Sequence, residues 1–166
     1  MKKVAFLILF FSLVTSGYSQ NDKLKAVVLY SFTRYVLWPE SVATGDFEIK
    51  ILGASSLEDE LKVMAQSKKV GNRSIKVTTV ENTDDIGTCH ILVIPLAQSG
   101  RLEEILGFLG NRPVLVVTEQ PGLGERGSDI NFVSRDGRLA FELNQVSVNK
   151  RKLKVSTELT RLAILI

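Results

Sequence analysis

Apolar residues recur three or four positions apart at Leu24, Val27, Val28, Phe32, Tyr35 and Val36, which predicts a helix over Asp22–Trp38. Pro39 ends it, because the residue before a proline avoids the helical region. Phe47 to Gly53 alternates and stops at glycine, as a strand would. Leu57 to Ala65 carries Leu57, Leu61 and Met64 on one face and acids on the other, an amphipathic helix. Ile75 to Val80 is β-branched and alternating. His90–Pro95 and Pro113–Thr118 are continuously apolar, the pattern of strands buried on both faces, and Arg101 to Leu109 supplies a helix between them. The order is helix, then β-α-β twice, with connections that suit parallel crossovers. The expected fold is α/β: a three-layer, Rossmann-like sandwich with a mostly parallel sheet, a C-terminal β-hairpin and a terminal helix.

The hairpin is read from Ile130–Val133 and Arg138–Leu143 around Asp136-Gly137. A two-residue turn pairs Asn131 with Glu142, and a four-residue loop pairs Asn131 with Ala140. In both registers Ile130, Phe132, Leu139, Phe141 and Leu143 face the core. Asp129, Asn131, Arg138, Ala140 and Glu142 share the other face. After Leu153-Lys154-Val155, Ser156 is a plausible N-cap. Leu159, Leu162, Ala163 and Ile166 then lie at helical spacing.

Gly122, Gly124 and Gly127 spell GxGxxG after an apolar strand. The dinucleotide fingerprint needs those glycines at a strand-to-helix turn. Here they lead into Ser-Asp-Ile-Asn-Phe-Val, an alternating strand pattern, so the stretch reads as a loop and no cofactor is expected.

At the N-terminus Lys2 and Lys3 precede an apolar core, Val4 to Val14, and small residues follow. This is the layout of a secretory signal peptide over residues 1–19, with a single domain over 20–166. The apolar run is shorter than the roughly 20 residues a membrane span needs. Removing it takes two lysines from the 21 Lys+Arg, leaving 19 against 18 Asp+Glu, a charge of about +1. Without a basic stripe, nucleic acid is not an expected partner. Cys89 and His90 are the only residues of their types, too few for a familiar zinc site, a Cys–His pair apart from these neighbours, or an intrachain disulfide. Cys89 begins an apolar strand and reads as a small buried hydrophobe.

Two groups are candidates for binding. Arg34, Tyr35 and Trp38 end the first helix; Tyr35 and Trp38 either pack it on the sheet, or Trp38 and Arg34 rim a partner surface. Asn131, Arg138 and Glu142 form the polar hairpin face. They are either a solvated face or hold a structural Arg–carboxylate pair, or they line a pocket in which Arg138 holds an anion and Glu142 an amine or hydroxyl. Asp129 and Glu142 would be the acid–base pair of an enzyme, but no nucleophile–base pair accompanies them.

The stretches KAVVLYSFTRYVLWPES, TCHILVIP, VLVVTEQPGLGERGSDINFV, GRLAFELN and LKVSTELTRLA together resemble, in order, the blocks of the YfiR family of periplasmic regulatory proteins. The resemblance implies a non-enzymatic periplasmic repressor that binds the periplasmic sensor domain of a membrane diguanylate cyclase or sensor kinase, and so acts on cyclic di-GMP signalling. Small-ligand control, or instead a stand-alone small-molecule-binding module, stays open, as does a homodimer through the apolar C-terminal end. Some members of that family use disulfides, one at the position of Cys89; here Cys89 has no companion.

Overall fold

A computed structural model describes residues 16–166, with side chains from Asn21 onward. The predicted signal peptide therefore lies, up to its last four residues, outside the described residues. The chain enters through helix α1 (Ser16–Tyr35) and the short strand β1 (Val36–Leu37). Next come β2 (Phe47–Leu52), α2 (Leu57–Ser67), β3 (Lys69–Val70), β4 (Arg73–Val80), β5 (Ile91–Ile94), α3 (Leu102–Leu109) and β6 (Leu115–Thr118). A turn-rich loop leads to β7 (Ile130–Arg135) and β8 (Arg138–Leu143), then α4 (Gln145–Lys150), β9 (Lys154–Val155), α5 (Thr157–Leu162) and β10 (Ile164–Leu165).

The main sheet has the order β10-β8-β7-β6-β5-β2-β4-β3. β4, β2, β5, β6 and β7 run parallel; β8 is antiparallel to β7, and β3 to β4. The crossover from β2 to β4 moves toward one edge and that from β5 to β6 toward the other. Crossovers of one hand then place α2 and α3 on opposite faces. Leu57 and Leu61 of α2 do join one apolar cluster, while Leu102, Ile105 and Leu109 of α3 join the second. This is the expected three-layer sandwich, and its direction of winding reverses between β2 and β5.

β5 and β6 are buried at every position, which is why they read as unbroken apolar runs. Helix α1 lies beside α2 over the first face. Its fully buried Leu29 and Phe32 are each worth about 1.5–3 kcal/mol of apolar burial. Phe32 meets Phe141 edge-on, with ring centroids 5.2 Å apart.

The hairpin turns through Asp136 (φ 52°) and Gly137 (φ 74°), both left-handed as a two-residue primed turn requires. Asn131 accordingly pairs with Glu142. Ile130, Phe132, Phe141 and Leu143 are buried in the first cluster, with Leu139 packed against it.

Helix α1 ends at Tyr35, short of the predicted Trp38. Val36 and Leu37 are extended and pair with Val155 and Lys154, and the Ser156 N–H donates to Tyr35 O at 2.8 Å. The terminal helix also ends early, at Leu162. Ile164 and Leu165 pair in parallel with Glu142 and Leu143, and the Ile166 N–H donates to Leu143 O at 3.2 Å. Covering the edge of β8 satisfies backbone groups that a longer helix would leave open.

Candidate functional site

The polar hairpin face is buried at one end and open at the other: Asp129 and Asn131 are buried, Ala140 and Glu142 half-buried, and Arg138 exposed. Asn131 is fully buried, accepting from Thr118 Oγ1 at 2.7 Å and donating from Nδ2 to Glu142 Oε2 at 2.8 Å. The loop between β6 and β7 covers this pair. A Cβ on Gly124 would stand 2.7 Å from Glu142 Oε2 and 2.5 Å from Ile166 Cδ1, so a larger residue there would push the ends of both side chains aside. Gly122 and Gly127 adopt left-handed φ of 84° and 103°. The GxGxxG stretch is a strand-to-strand loop, and its glycines serve turns and close packing.

Asp129, at the entry to β7, is also fully buried. Its Oδ2 accepts from the Val116 N–H at 2.7 Å and lies 2.9 Å from Arg151 Nε, and its Oδ1 accepts from Ser147 Oγ at 2.7 Å. Arg151 also donates to Gly110 O at 3.1 Å. Burial pushes the Asp129 carboxyl up to about 6, against the opposing pull of Arg151 and the backbone N–H. Asp129 therefore clamps three segments together and has no open side for a substrate. Lys150 at the end of α4, with Arg151 and Lys152 in the turn after it, makes a basic triplet whose middle member is internal. The short helix α4 that presents Arg151 and Ser147 has only two buried residues and leaves almost no periodic signal. Its clue is Asn144, whose side chain accepts from the Ser147 N–H at 2.9 Å as an N-cap.

At the amino ends of the parallel strands, Trp38 donates its indole N–H to His90 O at 3.2 Å and sits edge-on to Phe47 at 5.1 Å. His90 Nδ1 accepts from the Glu48 N–H at 3.1 Å, so the proton resides on Nε2, which donates to Val42 O at 2.8 Å. The Arg73 guanidinium lies 2.8 Å from that same nitrogen. Burial first, and the Arg73 charge in addition, hold the His90 imidazole below its ordinary pKa. Cys89 is buried, and burial pushes its thiol up to about 12. Arg34 and the neighbouring Leu37 are exposed, Leu37 at 62%, while Tyr35 is half-buried against the core.

The six predicted binding residues thus fall into three places. Arg34, Tyr35 and Trp38 share the amino end of the sheet. Buried Asn131 and half-buried Glu142 bond to each other. Arg138 is exposed beside the hairpin turn, roughly 13 Å along β8 from Glu142.

Arg138 lines a cleft of about 1060 Å³ that no local motif announces. The cleft opens at the carboxyl ends of the parallel strands, where α/β sheets usually take their ligands. The beginning of α1, the loops after β2, β5 and β6, and the hairpin enclose it. At its base Lys25 bridges Asp22 (3.5 Å) and Glu119 (3.2 Å), and Ser56 donates to Asp22. Leu24, Leu96, Phe132 and Leu139 contribute apolar lining. Among the described residues no group of three or more His, Cys, Asp or Glu side chains could hold a metal ion. No described helix is long and apolar enough to cross a membrane.

Residues 22–164 match the model of a protein family described as YfiR/HmsC-like. No curated protein matches the chain.

Proposed function

The chain belongs to the YfiR/HmsC-like family, and from that premise we propose that it is an exported protein which binds the periplasmic sensor domain of a membrane signalling protein, a diguanylate cyclase or a sensor kinase, and represses it. Membership implies a periplasmic regulator of diguanylate cyclase signalling rather than an enzyme. Cleavage after residue 19 and a single working domain from residue 20 are part of the same reading.

One observation carries it: the groups from which catalysis would be built are consumed in holding the fold. Asp129 is clamped by Arg151 and Ser147, His90 by Glu48 and Val42, and Cys89 is buried as a neutral thiol. Binding is what the surface leaves available. The partner contact is assigned to the amino end of the sheet, where exposed Arg34 and Leu37 flank Trp38. Trp38 itself is half-buried, packed on the core and anchored on His90 O and Phe47, so its place is fixed before a partner arrives. A homodimer would use the other end of the chain, where Leu162 and Leu165 are 67% and 50% exposed.

The repression is under small-ligand control in this reading. Of Asn131, Arg138 and Glu142, only Arg138 is both charged and exposed, so the ligand's contact is assigned to it rather than to the bonded pair.

The test is the cyclic di-GMP content of the native host with the protein deleted, restored, or replaced by Arg34→Glu/Leu37→Asp. Deletion is expected to raise it when the partner is a cyclase, and the double variant to behave as a deletion while remaining folded. A double variant that restores repression fully would remove the assigned surface. An unchanged level on deletion would exclude a cyclase as partner.

A further inference from the structure

Two guanidinium groups face each other across the last rung of the hairpin. Arg135 pairs directly with Arg138, flanking the Asp136-Gly137 turn. Their Cα atoms are ~5.5 Å apart in such a rung. Like charges placed directly opposite are unfavourable in an antiparallel pair. Both arginines are exposed, and neither forms an ion pair among the described residues; Asp136, between them in the turn, forms none either. Glu142, on the same face of β8, is engaged by Asn131. The strand tip thus carries two guanidinium groups against the single carboxylate of Asp136, a net positive charge, and none of the three is ion-paired among the described residues.

The tip stands at the rim of the cleft over the carboxyl ends of the strands. Arg138 and its neighbour Leu139 line that cleft, and Leu24, Leu96 and Phe132 extend its apolar lining. The base sets one lysine, Lys25, between two carboxylates, Asp22 and Glu119, and is net negative, which leaves the rim as the place for an anionic group. An incoming ligand therefore meets apolar walls and a cationic rim. The winding of the sheet reverses between β2 and β5, and the loops after those two strands contribute Ser55, Ser56 and Leu96 to the lining, so the cleft occupies the usual binding crevice of a doubly wound sheet.

We propose that this cleft binds a small organic acid with an apolar body, its carboxylate held at the rim by Arg138, with Arg135 across the rung adding positive charge from outside the lining, and its body laid past Leu139 toward Leu24 and Leu96. The two parallel N–H donors of one guanidinium match the forked geometry of a carboxylate, and apolar walls suit the remainder. This deepens the ligand-control part of the function proposed above. It needs no membrane partner, so its failure would leave partner capture untouched.

The experiment is calorimetric and thermal-shift titration of the purified protein, residues 20–166, with decanoate and with 4-phenylbutyrate. The uncharged amide of each is titrated in parallel. At least one acid is expected to saturate and raise the melting temperature, with its amide at least tenfold weaker. Arg135→Gln/Arg138→Gln, both on the exposed tip, is expected to weaken the acid at least tenfold with the unliganded melting temperature retained. Leu139→Asn is a second variant expected to weaken it, reading the apolar wall separately. Absence of saturable binding by either acid, equal binding of acid and amide, or wild-type affinity in the double glutamine variant would each overturn the proposal.

Discussion

Arg151 Nε stands 2.9 Å from Asp129 Oδ2, with the two side chains 4% and 0% exposed. A single ion pair thereby joins the turn after α4 to the residue just before β7. Val116 and Gly110 are tied into the same knot through backbone groups. Both charges have lost their water, so removing one strands the other. Arg151→Met is expected to lower unfolding stability by about 3–5 kcal/mol at neutral pH, read from urea denaturation. Asp129→Asn/Arg151→Met is expected to cost less than the two single changes added, because neither partner is left charged alone.

The same pair sets a pH dependence. The folded-state pKa of Asp129 is raised from the ordinary 3.8 to about 6, mainly by burial. The fold therefore prefers the protonated acid: this group's stabilising contribution is complete below 3.8 and is lost as pH rises through about 6. Without Arg151 the burial penalty is unopposed. The deficit of Arg151→Met against wild type is expected to be greatest above pH 6 and to narrow toward pH 4. A deficit that is constant from pH 4 to 8 would refute this sign.

His90 acts in the opposite direction. Its folded pKa is depressed from 6.5, and its neutral form fits the Glu48 N–H on one nitrogen and Val42 O on the other, with Arg73 alongside. Its contribution is present above pH 6.5 and is lost as pH falls through the lower folded-state value. His90→Gln has no charge to gain, so the stability advantage of wild type over it is expected to shrink between pH 8 and pH 5. Comparing urea midpoints at each pH cancels the Asp129 effect common to both proteins.

Cys89 is expected to be chemically silent. With the thiol pushed up to about 12, about one part in ten thousand is thiolate at pH 8, and the sulfur is buried besides. Ellman's reagent is expected to leave the native protein unlabelled and to titrate one thiol per chain in denaturant. Rapid labelling of the native state would contradict that burial.

These features differ in how far the residues alone announce them. β5 and β6 were legible because strands buried on both faces are unbroken apolar runs. The hairpin was legible because Asp136-Gly137 admits a two-residue turn and the odd–even alternation sorts its faces. Two-residue strands such as β1, β9 and β10 are too short to show any period, so the retreat of both terminal helices went unseen. Alternation placed Asp129 and Asn131 on the polar face correctly. It could not show that the glycine loop and the residues of and after α4 bury that face, since those contacts come from distant parts of the chain. The cleft is hidden for the same reason: its charged base joins Asp22 and Lys25 of α1 to Glu119 after β6.

The most direct measurement is capture of the partner from the native host's membranes. Tagged protein spanning residues 20–166 would be incubated with membranes solubilised in mild detergent, and the retained proteins identified and quantified. The expected result is near-stoichiometric recovery of one membrane signalling protein with a periplasmic sensor domain, retained at least tenfold less by Arg34→Glu/Leu37→Asp. Recovery of no such protein, or equal recovery by wild type and the double variant, would contradict regulation through the surface around Trp38.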